Sequence, residues 1–408
     1  MCAEIRERHK NMGPANINFF WAGDKVTPYP MTLRIKLDHE INGEELRAAF
    51  DETLSVWPLL RDSFLEAEDG NIYFTENPNP IQIHHTQSIV PAGKGPNDDR
   101  VIALSYYGDT LTFTGLHAFL DGGSLFMVMR GTICRYLRSH YGKDYNVGEL
   151  PAPGDGDRPE NYEYYIGRED IIALPYEKKE AIWCTPDCFE DPKTKNQKGT
   201  PLSMSRVEMK ENDFIAYCKK IGSNPTVMFT ILMAQTVYRI YPEETRPFTG
   251  MITMNVRDNL GIPMAIMGQS SAMMLEITRE ELEHLSLEEL VKQKRAVMSA
   301  QRSKDYLLSR ADDMRNGRAF LRDNYSLRLS YFGDFNYGEC TPHIKDILSY
   351  NESYDELHMF ALNGTLYIDM QCASVSEQYA SALSRILNDA GLAAKVSGNY
   401  TKLQGVER

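Results

Sequence analysis

The chain has 408 residues, a formal charge of -13, 42% hydrophobic and 10% aromatic residues, which is the make-up of an ordinary globular protein too long for one small domain. The acidic balance argues against a surface that binds nucleic acid. No apolar run approaches the roughly 20 residues needed to cross a bilayer, and the charged start MCAEIRERHKNMGPAN lacks the apolar core of a secretion signal, so the expectation is a cytoplasmic protein without a membrane span.

In chain order, Met31 to Leu37 reads as a strand. Asn42-Gly43 then turns the chain into a helix with Leu46, Ala49, Phe50, Thr53 and Leu54 at helical spacing, ended by Trp57-Pro58. Short strands are expected over Ile72–Phe74, Ile81–His84 and Val101–Ser105. The neighbouring His84 and His85 would point to opposite faces of theirs, which argues against joint catalysis. Thr110 to Leu116 is a stronger strand, rich in Thr, Phe and Leu. It runs into Leu116-His117-Ala118-Phe119-Leu120-Asp121-Gly122-Gly123, after which Ser124 is placed to cap a helix of about Leu125 to Arg138.

That junction is the most informative stretch. An imidazole titrating near pH 6.5 can accept a proton near neutrality, and Asp121, if tied to a fixed cation, could hold the loop that aims it. A core histidine beside a helix-capping aspartate is the plainer alternative, and for an arbitrary H-x-x-x-D the commoner one; the flanking strand, glycines and helix favour the functional reading here.

From Gly148 to Thr200 the composition shifts toward Pro, Gly, Asp, Glu, Lys and Tyr, as in a crossover linker. The expected division is therefore an N-terminal part over 1–150, a linker over 151–200 and a C-terminal part over 201–408. Beyond the linker, Asn224-Pro225 starts a helix whose apolar residues nearly encircle it, so it should be buried. Phe248 to Met254 reads as a strand leading into Asn255-Val256-Arg257, Leu285 to about Leu308 as one amphipathic helix, and Leu327 to Phe335 as a strand. A hairpin turns at Asn363-Gly364 and a helix spans Val375 to Asn388.

Cys2, Cys134, Cys184, Cys188, Cys218, Cys340 and Cys372 are odd in number and scattered, as reduced thiols are. Cys184 and Cys188 form a close pair without a second pair at metal spacing, so no metal site is expected. Between Lys292 and Arg328 ten basic residues stand against four aspartates. This segment could meet the phosphates of a nucleotide-bearing ligand, but a solvated helical face is the preferred reading.

The order strand, turn, helix, then Trp57-Pro58-Leu59-Leu60-Arg61-Asp62-Ser63-Phe64, with H-x-x-x-D-G at His117, Asp121 and Gly122, resembles the chloramphenicol acetyltransferase-like superfamily of CoA-dependent acyltransferases, in its alcohol acetyltransferase and condensation-domain branch. Leu116 stands where many relatives carry a first histidine. Asn255-Val256-Arg257 is similar to the strand-end N-x-R whose arginine pairs with the motif aspartate. Ser330-Tyr331-Phe332-Gly333 and Asp334-Phe335-Asn336-Tyr337-Gly338 are similar to two further, degenerate motifs of these branches.

The resemblance implies an α/β fold with mixed sheets, made of two similar subdomains in a V with the active site in a tunnel between them. It also implies acyl transfer from acyl-CoA, or from a phosphopantetheine thioester on a separate carrier protein, to the hydroxyl or amine of a small acceptor. A binding module without catalysis is the remaining alternative. His117 would be the general base, Asp121 and Arg257 a structural clasp, and Gly122, Gly123 and Asn255 its backbone and flanks. Ser330 is the favoured oxyanion donor, with Asn336 and a backbone N–H as rivals. No covalent acyl-enzyme, permanent cofactor or metal is implied. Met264, Met267, Met273 and Met274 are candidates for the acceptor side, though core or rim packing is the commoner use of such residues.

Overall fold

A computed structural model describes residues 30–66, 72–75, 77–93, 99–117, 119–182, 187–191, 203–316, 325–351, 356–372 and 376–400. Cys2 and Cys184 lie outside these, as do Arg318 and Arg322 of the basic segment. The strands among the described residues are β1 (Pro30–Leu37), β2 (Ser63–Glu66), β3 (Ile72–Thr75), β4 (Ile83–His85), β5 (Ile102–Tyr107), β6 (Thr110–Leu116), β7 (Ser203–Lys210), β8 (Phe248–Asn255), β9 (Ser270–Ile277), β10 (Leu327–Asp334), β11 (Ile344–Asn351), β12 (Glu356–Leu362), β13 (Thr365–Cys372) and β14 (Lys395–Tyr400).

Two mixed sheets organise the chain, one ordered β11-β1-β6-β5-β4 and one ordered β14-β7-β13-β12-β10-β8-β9, with β2 and β3 as a separate pair. The α/β architecture with mixed sheets is thus as the sequence leads one to expect. In the first sheet only β4 and β5 run parallel. In the second, β8, β10 and β12 are parallel neighbours and the remaining pairs are antiparallel. β11 falls within the 201–408 segment by sequence, yet it pairs along its length with β1. Sheet membership departs from chain order at that strand.

Each sheet buries one face under helices. Gly43–Leu54 and Gly122–Tyr141 cover the first, contributing Leu46, Phe50, Leu125, Met129 and Ile133 to its core. Pro225–Ile240 and Ser376–Asp389 cover the second. Asn42 and Asn224 cap their helices through Oδ1, which accepts from Glu44 N–H and Val227 N–H at 3.0 and 2.9 Å. Every residue from Val227 to Ala234 is buried, as an apolar helix circumference requires. The single helix expected over 285–308 is two, Leu287–Gln301 and Lys304–Arg315. Ser303 breaks it because its hydroxyl accepts from Tyr306 N–H and caps the second piece. The turn at Asn363-Gly364 has φ of 51° and 74°, the two positive values a type I′ hairpin needs.

The opposite face of the second sheet carries the polar residues. Leu327, Leu329 and Tyr331 of β10 and Leu357, Met359 and Ala361 of β12 pack into the second core. Alternation therefore turns Arg328, Ser330 and Phe332, and Glu356, His358 and Phe360, toward the first core, which Phe332 and Phe360 join. Register sets Thr253, Ser330 and His358 side by side across β8, β10 and β12, with Met251, Arg328 and Glu356 in the preceding row.

Candidate active site

β6 ends at Leu116, whose side chain is fully buried in the first core and whose carbonyl accepts from the N–H groups of Phe119 and Leu120 at 2.9 and 3.0 Å. That turn brings the partly buried His117 back over its own loop, where Nδ1 lies 3.0 Å from the carbonyl oxygen of Leu120. A carbonyl only accepts, so Nδ1 carries the hydrogen and Nε2 carries the lone pair in the neutral ring. Burial pushes the imidazole below its ordinary range. Glu356 pulls against this, Arg328 adds to it, and the Leu120 hydrogen bond and Asp121 oppose it more weakly.

Asp121, not Ser124, is the N-cap of helix Gly122–Tyr141. Its Oδ1 accepts from the Ser124 N–H and hydroxyl, both at 2.7 Å. The aspartate is fixed from behind by Arg257, so its carboxylate reaches the first-turn donors before a serine one turn later can. Arg257 Nη1 and Nη2 donate to Asp121 Oδ2 and Oδ1, each at 3.1 Å, and Gln269 N–H donates to Oδ2 at 2.7 Å. Burial by itself would raise this carboxyl. Arg257 and Ser124 more than reverse that and hold it below the usual carboxylate range.

The guanidinium is saturated. Nε donates to Ala265 O at 2.7 Å, Nη2 to Ser124 Oγ at 2.7 Å and to Met267 O at 3.0 Å, and Nη1 to Asn255 Oδ1 at 3.1 Å. Asn255 Oδ1 also accepts the Arg257 N–H, which fixes the strand end. The two glycines are close approaches. A Cβ on Gly123 would lie 3.0 Å from Arg257 Nη1 and 3.2 Å from Asn255 Nδ2, and one on Gly122 would lie 2.7 Å from Cε1 of Phe332.

The structure thus brings Asp121, Arg257, Asn255, Gly122 and Gly123 into one contact network, with His117 on the same loop. Ser330 is buried on the inward face between Thr253 and His358. Asn336 is exposed and its Oδ1 accepts from Gly338 N–H at 2.7 Å, so it serves the turn after β10. Met267, Met273 and Met274 are buried, Met273 in the second core, and the Met264 carbonyl accepts from Trp57 Nε1 at 3.0 Å. Packing, the commoner use, accounts for these methionines.

Among the described residues, basic side chains of the 292–328 segment are turned to different partners rather than to one cationic face. Lys294 bonds Glu281 at 2.6 Å, Asp312 and Asp313 hold Lys178, and Arg328 turns inward toward Glu356. Gln269, Glu356 and His358 are residues of this region that sequence reasoning missed. None carries a local pattern, because each reaches the loop only through strand pairing.

No family model matches the chain, and no curated protein matches it in sequence. Solved structures do. Polyketide synthase associated protein 5 from Mycobacterium tuberculosis superposes with a TM-score of 0.61 at 14% identity, covering 93% of this chain and 97% of that one. TRI101 of F. sporotrichioides, in complex with coenzyme A and T-2, gives 0.62 at 10% identity over 95% and 98%. The first condensation domain of the CDA synthetase gives 0.62 at 11% identity over 93% and 96%. The likeness is one of fold: the chain shares the two-subdomain mixed α/β fold of these structures along nearly its whole length. Among the described residues no helix is long and apolar enough to cross a membrane.

Proposed function

We propose that this chain is an acyltransferase that moves an acyl group from a thioester, free acyl-CoA in the first instance, to the hydroxyl or amine of a small acceptor. The observation that supports it most is the tautomer of His117. With Nδ1–H committed to Leu120 O, Nε2 is the basic nitrogen, and the loop that holds the ring is braced by the buried Asp121–Arg257 pair.

A thioester is already activated, so the chemistry needs a base and an oxyanion donor. His117 Nε2 takes the acceptor's proton as its oxygen or nitrogen attacks the thioester carbonyl. The tetrahedral intermediate then collapses, the C–S bond breaks, and the same proton passes from His117 to the departing thiolate. Ser330 is the proposed donor to the oxyanion. Asp121 and Arg257 touch neither reactant. No acyl-enzyme forms, since donor and acceptor meet directly, in a tunnel between the two halves with the thioester approaching from one face and the acceptor from the other.

The test is thiol release from acetyl-CoA and longer acyl-CoAs with a panel of alcohols and amines. Removing a general base costs about 10²–10⁴-fold, so His117→Ala should lose release by that factor while retaining its fold. A wild type inert with every free acyl-CoA but active with a loaded carrier protein would move the donor to the carrier. Inertness with both would overturn the reading in favour of a binding module.

A further inference from the structure

The inward face of the second sheet holds a buried charged group that the scheme above does not use. Glu356 and His358 of β12 are each almost fully buried, and His358 Nε2 lies 3.2 Å from Glu356 Oε1. A carboxylate only accepts, so Nε2 carries the hydrogen. On the neighbouring strand, Arg328 Nη1 stands 4.0 Å from Glu356 Oε2, and the two residues are register partners. The row abuts the histidine loop through one aromatic ring. Phe332 lies 5.2 Å, centroid to centroid, from His358, and its Cε1 occupies the space beside Gly122.

A carboxylate can stay charged when buried if it is paired and hydrogen-bonded, as Glu356 is by His358 and Arg328. Its charge then has a use in the attack step, which leaves a positive imidazolium on His117. We propose that Glu356, held between Arg328 and His358, is a positioning residue for His117, the counter-charge that steadies the imidazolium formed when the ring takes the acceptor's proton. This rests on the reading of His117 as the base. Charged groups acting on the ring include Glu356 from β12, Arg328 from β10 and Asp121 from the helix start, the last already neutralised by Arg257. Among the charges, Glu356 acts on His117 most strongly, ahead of Asp121, and Arg328 opposes it. His358 fixes the carboxylate and is expected to act through it.

Two charges of opposite sign on one ring give a test with opposite signs. The His117 ring signal is followed by NMR titration in the full chain, beside the pH profile of thiol release. Glu356→Gln should move the His117 titration to lower pH and reduce the plateau rate roughly threefold or more, as a weaker base requires. Arg328→Met should move the titration to higher pH, the double variant should return it toward wild type, and Glu356→Asp should largely restore it.

A shape-filling role would move neither titration, and an unmoved His117 signal in folded Glu356→Gln would overturn the inference. Should that variant not fold, an unmoved or lowered titration in Arg328→Met would overturn it equally. The two readings fail separately. Without thiol release from any donor the acyl-transfer reading falls while the titration still reports on Glu356. Release with an unmoved titration leaves the base and removes its counter-charge.

Discussion

Arg257 grips both carboxylate oxygens of Asp121 at 3.1 Å across 136 residues of sequence, with both side chains almost fully buried. The pair joins the end of β8 to the start of helix Gly122–Tyr141. Segment 261–269 is folded around it, its carbonyls at Ala265 and Met267 taking the remaining guanidinium hydrogens.

Removing the cation should therefore be costly. Arg257→Gln leaves Asp121 charged and buried, and breaking such a pair costs about 3–5 kcal/mol. Arg257→Lys should recover little of it, since three ammonium hydrogens cannot serve the carboxylate, Ser124, Asn255 and two carbonyls together. Urea denaturation of both variants checks this. Two variants within about 0.5 kcal/mol of wild type, the range of ordinary surface substitutions, would show that the clasp is not a structural element.

The parts of this arrangement legible in the sequence are those that depend on local pattern. The strand Thr110–Leu116, the glycine turn and the helix after it follow from side-chain periodicity within a few residues. The Asn255-x-Arg257 strand end was readable only through its likeness to other proteins, because nothing local says which carboxylate an arginine meets. Glu356 and His358 were invisible for a related reason. In sequence they look like solvent-facing residues ahead of an apolar run, and only the pairing of β12 between β10 and β13 buries them. Asp121 took the cap from Ser124 because an arginine far along the chain fixed it there. β11 joined the first sheet because β1 offered an edge, which no periodicity records.

Leu116 occupies the position of a first histidine in related motifs, and its side chain is fully buried among apolar neighbours. Leu116→His should destabilise the chain by about 2–4 kcal/mol through an unmatched ring and an unsatisfied polar group, and thiol release should not rise. A variant that matches wild-type stability and releases thiol faster would show that the position faces the reactants rather than the core.

Burial holds His117 and, by the same cause, His84 below the ordinary imidazole range. The sign follows from linkage. Between the ordinary value near 6.5 and the depressed folded value, the unfolded chain binds protons that the folded chain refuses, so stability is fully present above about pH 6.5 and drains as pH falls toward the folded value. His117→Gln should flatten that slope without abolishing it, because His84 remains. The contribution of Asp121 is lost only further down, below about pH 4, as its carboxyl protonates. Denaturation midpoints at pH 8, 6, 5 and 3 separate the two windows, the first three reporting on the imidazoles and the last on Asp121, and a slope between pH 8 and 5 unchanged by His117→Gln would exclude that ring as a source.

A second clasp ties the sheets from the other end. Arg206 of β7 donates through Nε and Nη2 to Asp369 Oδ1 and Oδ2 at 2.6 and 2.8 Å, through Nη1 to Asp346 Oδ1 at 2.6 Å, and through Nη2 to Ile347 O at 2.6 Å. The two carboxylates stand in different surroundings: the Asp369 side chain is 1% exposed and that of Asp346 40%. Water and salt screen the second far more than the first, so equal distances do not imply equal worth. Asp369→Asn should cost about 3–5 kcal/mol as a broken buried pair, and Asp346→Asn about 0–1 kcal/mol as a solvated one. Only the Asp346 loss should shrink further in 1 M salt. Urea midpoints for both variants at low and high salt decide it. If the two losses are equal, the attachment of β11 rests on Asp346 as much as on the buried pair, and the strand is held to the second sheet by charge at its surface.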